Sequence, residues 1–114
     1  MTDGDAEIRI RFARERTEAR VHELTALFDA VVASSEAANL DDEHDPEGST
    51  VGFERAQLAA MLEGARARLE DLADASERVR LGTYGRCERC GDPIPDARLD
   101  AQPSTRTCVA CAAR

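Results

Sequence analysis

Cys87-Glu88-Arg89-Cys90 and, after seventeen further residues, Cys108-Val109-Ala110-Cys111 decide how the C-terminal part of this chain folds. Two C-x-x-C pairs at this separation are typical of a four-thiolate zinc site. A two-residue gap lets both sulfurs of one pair reach a single ion, and two pairs complete a tetrahedron at Zn–S distances of about 2.3 Å. Gly91 directly follows Cys90, where the turn out of the pair often requires a positive φ. We therefore expect the four cysteines to bind one structural Zn²⁺.

Two disulfides or a redox dithiol are the alternatives to zinc. All four cysteines of the chain lie in the two pairs. The N-terminal stretch Met1–Asp5 is acidic and polar, unlike an export signal, which makes disulfides the weaker expectation. The segment between the pairs contains only Ile94 and Leu99 as sizeable apolar side chains, so we expect it to depend on the metal for its fold. Four protein ligands leave no position for water or substrate, and we expect no enzymatic activity.

Composition narrows the class of protein further. The chain has 114 residues, a formal net charge of −8, three Phe, one Tyr and no Trp. So few aromatic residues argue against a thick globular core and against stacking platforms for nucleic-acid bases. No apolar run approaches the ~20 residues that a membrane span needs. We expect a cytoplasmic protein.

Two long helical stretches precede the cysteines. The first, from about Asp5 to Asn39, lacks Pro and Gly and is rich in Ala, Arg, Glu and Leu. Its apolar or small residues recur at steps of three and four, at Val21, Leu24, Phe28, Val31, Ser35 and Ala38. Before Val21 the pattern loosens to Ile8, Ile10, Phe12 and Ala19, and we expect this part to pack less firmly.

The second helix is expected from about Val51 to Leu81, with Ser49 or Thr50 as its cap. Its seam follows steps of four and three, which is the 3.5-residue period of a left-handed coiled coil, at Leu58, Leu62, Ala65, Leu69, Leu72, Ser76 and Val79. Gly82 is expected to end it. We expect Leu58, Leu62, Leu69 and Leu72 to pack against Val21, Leu24, Phe28 and Val31.

The predicted fold class is therefore mainly α, a long antiparallel helical hairpin (coiled coil) followed by a small four-cysteine zinc finger. The predicted domains are residues 1–81 for the hairpin and 82–114 for the finger. Pairing within one chain predicts a monomer, and dimerisation through the same seams is the alternative.

An acidic connection, residues 40–49, forms the tip of the predicted hairpin. It contains turn formers and helix breakers, including Pro46 and Gly48. Its carboxylates repel one another when they are unpaired, so stability alone does not explain why so many of them lie close together. We expect four of them to contact a partner at the tip: Asp41, Asp42, Asp45 and Glu47.

The C-terminal residues resemble the DksA/TraR-type zinc-finger transcription regulators. The resemblance rests on Gly82-Thr83-Tyr84-Gly85-Arg86-Cys87, Cys90-Gly91, Ile94, Arg98-Leu99-Asp100-Ala101-Gln102-Pro103 and Cys108…Cys111. It implies a protein that binds RNA polymerase rather than DNA. In this family the coiled-coil tip enters the secondary channel of the polymerase and alters initiation.

The tip departs from the Asp-x-x-Asp-x-Ala motif of the best-known members of that family. With Asp45 aligned first, Gly48 takes the place of the second Asp and Thr50 that of the Ala. With Asp42 aligned first, Asp45 supplies the second Asp and Glu47 replaces the Ala.

Two other functions compete with polymerase regulation. The cysteine spacing is also that of GATA-type DNA-binding fingers, which need a basic surface for the phosphates. Residues 82–114 hold five Arg against four acids, and the whole chain is acidic, so DNA binding is the weaker expectation. The remaining alternative is an adaptor protein that a structural metal ion stabilises and that has no role in transcription.

Overall fold

The computed structural model describes residues 2–41 and 47–114. Within these ranges no strand forms, and the one piece of β structure is an isolated antiparallel bridge between Arg86 and Pro93. The described helices are α1 (Asp3–Asp41), α2 (Glu47–Leu81), α3 (Asp96–Ala101) and α4 (Val109–Ala112). The predicted fold class, a long helical hairpin followed by a small four-cysteine module, is confirmed.

The chain divides into two compact units, and the division cuts across both long helices. One unit joins Met1–Arg16 to Arg68–Arg114, and the other is Thr17–Ala67. The first unit therefore combines the start of α1, the end of α2 and all four cysteines. The domain boundary expected between residues 81 and 82 stays a prediction.

The first four turns of α1 pack closely against the end of α2. Ile10 is only 1% exposed, and Tyr84 packs against the same apolar cluster. The buried members of this cluster are Ala6, Ile10, Ala13, Leu72, Ala75 and Val79. The expectation that the start of α1 packs less firmly was wrong, because two of its core positions are alanines that hydrophobic pattern counting undervalues. Ile8 and Phe12, which the pattern did count, are exposed.

The second unit, Thr17–Ala67, has its own contacts between the two helices. Leu24 of α1 and Leu62 of α2 are buried there. The Arg55 guanidinium lies 5.8 Å from the centre of the Phe28 ring, a cation–π contact between the helices. The pairing expected for Leu72 was wrong: it belongs to the cluster around Ile10 in the other unit.

The seam predicted on α2 is confirmed by burial. All seven of its residues are buried or half-buried, while the residues between them are mostly exposed. A seam with a 3.5-residue period keeps facing the same partner along a supercoiled helix.

Both long helices are longer than predicted. α1 begins two residues before Asp5 because Thr2 caps it: the Asp5 N–H donates to Thr2 Oγ1 (3.2 Å), and the Thr2 N–H donates to Asp5 Oδ2 (3.1 Å). This hydrogen bond from the Thr2 N–H lowers the pKa of the Asp5 carboxyl. α2 begins at Glu47 rather than near Val51. This earlier start places Gly48 inside the helix. One Gly in a helix costs up to about 1 kcal/mol, which is small compared with the packing energy of a helix this long.

Half of the predicted tip, residues 42–46, falls outside the described residues. Asp42 and Asp45 lie outside them, whereas Asp41 is the last residue of α1 and Glu47 the first of α2. Over the part of the chain that is described, each helix is too short or too polar to cross a membrane.

Candidate functional site: a four-cysteine metal centre

The path from α2 into the cysteine module is set by a glycine turn. Gly82 has φ 78°. Its N–H donates to Val79 O (3.1 Å), and the Thr83 N–H donates to Arg78 O (2.9 Å). These two bonds form a Schellman motif, which satisfies the last carbonyls of the helix and turns the chain sharply. The predicted end of α2 is confirmed, and the first cysteine follows five residues after the glycine.

The first cysteine pair lies in a tight turn. Gly91, the residue after Cys90, has φ 78°, as the sequence predicted. Its N–H donates to Cys87 O (2.9 Å), and the Cys87 N–H donates to Asp92 O (2.8 Å). The backbone thus folds back on itself so that Cys87 and Cys90 point to the same side.

The second pair is held against the first by backbone and apolar contacts. Cys108 precedes α4, and Cys111 lies within that helix. The Glu88 N–H donates to Arg106 O (2.9 Å), which joins the segments that lead to the two pairs. Ile94 and Leu99, the two apolar residues singled out in the sequence, are buried together with Cys87 and Cys111.

The four sulfurs meet in one cluster. The Sγ atoms of Cys87, Cys90, Cys108 and Cys111 all lie within 4.8 Å of one another, and those of Cys90 and Cys108 are 3.8 Å apart. A tetrahedron with Zn–S distances of 2.3 Å has S–S edges of about 3.8 Å. All four cysteines are free. The cluster therefore has the size and the ligand set of a four-thiolate metal site.

The negative charges of adjacent thiolates in the cluster favour a bound cation. The pKa of Cys87 is lowered to about 6, first because the Cys90 backbone N–H donates to its sulfur and next because of a backbone bond from Cys108. The pKa of Cys111 is raised to about 12, mainly by its interactions with the Cys108 and Cys87 sulfurs. One thiolate is thus favoured, but four adjacent thiolates repel one another unless a metal ion neutralises them.

Side chains from both long helices fix the module within its unit. The Tyr84 hydroxyl donates to Pro103 O (2.8 Å), and Arg9 Nε on α1 donates to Asp100 Oδ1 (2.7 Å). Arg106 Nη2 bonds Asp74 Oδ2 on α2 (2.8 Å). The sequence analysis named Tyr84, Asp100 and Pro103 but missed these contacts, because each contact joins positions far apart in sequence, where no periodicity marks it.

The polymerase-contacting role predicted for the acidic residues is not something the described geometry tests. Asp41 and Glu47 end and begin the two long helices, and Asp42 and Asp45 lie outside the described residues. Their role therefore stays a prediction.

Comparison with known proteins identifies the C-terminal module. A sequence model described as the prokaryotic dksA/traR C4-type zinc finger matches residues 82–114. An uncharacterized protein of Aquifex aeolicus (strain VF5) is 52% identical over 46 residues, 40% of this chain and 32% of that protein. General stress protein 16O of Bacillus subtilis (strain 168) is 35% identical over 74 residues, 65% of this chain and 45% of that protein. The chain thus spans less than half the length of these two relatives.

A solved structure extends the likeness to the helices. The transcription factor DksA2 from Pseudomonas aeruginosa matches with a TM-score of 0.56 and 23% sequence identity, over 95% of this chain and 83% of that one. At this identity the match establishes the fold alone. The resemblance seen in the sequence is confirmed: the chain carries a prokaryotic dksA/traR C4-type zinc finger at residues 82–114, on a helical hairpin with the fold of DksA2.

Proposed function

We propose that this protein is a transcription regulator that binds RNA polymerase and does not bind specific DNA sequences. The observation that carries the proposal is the combination of a dksA/traR-type finger with a long helical hairpin of the DksA2 fold. In this proposal the protein is a non-enzymatic, cytoplasmic monomer. Its acidic tip enters the polymerase secondary channel and modulates initiation.

One structural Zn²⁺ per chain is part of the proposal. Cys87, Cys90, Cys108 and Cys111 would hold it, and the closeness of their sulfurs supports this assignment. When bound, the ion neutralises the thiolates and stabilises a module whose apolar core is small. With four protein ligands the site serves folding rather than catalysis.

Charge supports a protein partner rather than a nucleic acid. A DNA-binding finger gains its affinity from basic side chains that neutralise phosphates. Here the finger holds five Arg against four acids in a chain with a net charge of −8. Two of those arginines, Arg98 and Arg106, already donate to Thr107 O and to Asp74 within the protein.

The acidic tip is proposed as the working end, with the finger and the helices as its support. Asp41 ends the 39-residue helix α1 and Glu47 begins the 35-residue helix α2, and Asp42 and Asp45 stand between them in the sequence. At 1.5 Å per residue, helices of this length reach roughly 50 Å. In this proposal, helices of this length give the acidic residues the reach to enter the polymerase channel.

The first experiment asks whether the zinc-loaded protein binds RNA polymerase. Purified protein is mixed with bacterial core polymerase and run by size-exclusion chromatography, and promoter DNA alone is tested in parallel by gel shift. Co-elution with polymerase and no sequence-specific gel shift are the expected results. Binding to DNA alone would favour the GATA-type alternative, and absence of binding to either would favour the adaptor.

The second experiment separates the tip from the rest of the molecule. The double variant Asp42→Asn/Asp45→Asn removes two charges with little change in size. We expect it to bind polymerase but to lose its effect on initiation in an in vitro transcription assay. The matched control is Asp29→Asn/Asp71→Asn, the same chemical change at two exposed helical positions. Equal activity of the two variants, or loss of polymerase binding by the tip variant, contradicts the proposal.

A further inference from the structure

Two apolar residues of α1, Ile8 and Phe12, form an exposed patch, called here the N-terminal patch. Ile8 is 57% exposed and Phe12 is 64% exposed. They are neighbours on the helix surface, because residues four positions apart lie on the same face. Ile10, which stands two residues from each of them, is buried in the core. Two residues of helix correspond to a rotation of about 200°, so the patch points away from the core of its unit.

Arginines border the N-terminal patch on both sides. Arg11 lies about 60° around the helix from Ile8, and Arg16 lies about 40° from Phe12 in the other direction. Both arginines are exposed. Neither forms an ion pair with another residue that the structure describes. Their charges are therefore available to a partner that covers the patch.

The segment around the patch is basic in an acidic protein. Residues 8–16 hold four Arg and one Glu, whereas the whole chain has a net charge of −8. The Glu is Glu15, which lies on the same face as Ile8, and Asp5 lies one turn before the patch with its carboxylate bonded to the Thr2 N–H. Even with these two carboxylates nearby, the segment complements a negatively charged surface.

We propose that the N-terminal patch, with Arg11 and Arg16, docks onto an acidic protein surface that has apolar residues at its centre, and that this surface belongs to RNA polymerase. The inference rests on the polymerase binding proposed above and adds a second contact to that of the acidic tip. Phe and Arg are enriched in protein interfaces, where buried apolar residues supply affinity and charges at the rim select the partner. A nucleic-acid backbone would complement the arginines, but it would leave Ile8 and Phe12 without apolar partners.

The apolar contact is tested by the double variant Ile8→Ala/Phe12→Ala, which shortens both side chains and favours the helix. Biolayer interferometry on immobilised bacterial core polymerase measures the binding of the zinc-loaded full chain. We expect the affinity to fall at least about tenfold, mainly through faster dissociation. The protein concentration that gives a half-maximal effect on initiation should rise by the same factor. Circular dichroism and zinc content show that the variant is folded.

The charges are tested separately. Arg11→Gln/Arg16→Gln should slow association about threefold or more and make it less sensitive to the NaCl concentration. Glu15→Gln should speed association about twofold, because it removes a charge that repels an acidic partner. The matched control Leu81→Ala/Val109→Ala shortens two other exposed apolar residues of the same unit, 60% and 63% exposed, and should leave binding unchanged.

The outcomes separate this inference from the proposed function. Absence of polymerase binding by the wild type would overturn both. Wild-type binding that Ile8→Ala/Phe12→Ala leaves unchanged would overturn the inference alone, as would an equal loss in the Leu81→Ala/Val109→Ala control. An effect of the arginine variant without an effect of the apolar variant would also overturn it, since nucleic-acid contacts behave in this way. A wild-type dimer in sedimentation that Ile8→Ala/Phe12→Ala converts to a monomer would assign the patch to a second copy of the chain instead.

Discussion

Two isoleucines on the same helix, two residues apart, test the packing of the N-terminal segment. Ile10 is 1% exposed and lies in the cluster with Leu72 and Val79, whereas Ile8 is 57% exposed. Ile10→Ala removes three buried carbons, a transfer loss of about 2.4 kcal/mol at about 0.8 kcal/mol each. The space that the removed carbons leave in the core adds to this loss, and the higher helix propensity of Ala offsets roughly 0.4 kcal/mol of it. The expected net loss in the free energy of unfolding is about 3 kcal/mol.

The matched variant Ile8→Ala should change the free energy of unfolding by no more than about 0.5 kcal/mol, because little of that side chain is buried. Urea unfolding of the zinc-loaded protein, followed by far-UV circular dichroism, measures both variants. With a slope of about 1–3 kcal/mol per M, the midpoint of Ile10→Ala should fall by at least about 1 M. Equal midpoints for the two variants would refute the packing described for the start of α1.

Three further predictions concern the finger. Chelation of zinc should unfold residues 82–114, since structural zinc contributes an apparent ~10–16 kcal/mol; most of the helical circular dichroism should remain, and its complete loss would contradict this. Tyr84→Phe should lower the free energy of unfolding by about 1 kcal/mol, because its hydroxyl donates to Pro103 O; an unchanged urea midpoint would contradict it. Asp100→Asn should cost under about 1 kcal/mol despite its bond to Arg9, because the Asp100 side chain is 65% exposed; a loss of several kcal/mol in the same assay would show otherwise.

The sequence predicted the hairpin and the sulfur cluster because both follow from local rules. The spacing of Cys87, Cys90, Cys108 and Cys111 leaves few ways to bring four thiolates together, and the α2 seam repeats over several turns. Gly82 and Gly91 each mark a turn that needs a positive φ, and both predictions are confirmed.

The parts that were missed depend on contacts between distant residues. The start of α1 was expected to pack loosely because Ala6 and Ala13 carry no strong hydrophobic signal. Small side chains let two helices approach closely, yet pattern counting gives them little weight. Likewise, the pairing of Arg106 with Asp74 joins residues 32 apart in sequence, and the isolated residues of such a pair look like ordinary surface charges.

The apolar cluster shared by Ile10 and Leu72 has a consequence for biosynthesis. Its two halves are separated by the whole of the unit Thr17–Ala67, so the contacts that complete it are distant in sequence. Distant contacts form slowly, and a growing chain folds from its N-terminus as it emerges. The first turns of α1 therefore stay unpacked, with Ile10 exposed, until Leu72 and Val79 have emerged from the ribosome. Only then does the segment that supports the finger reach its final packing.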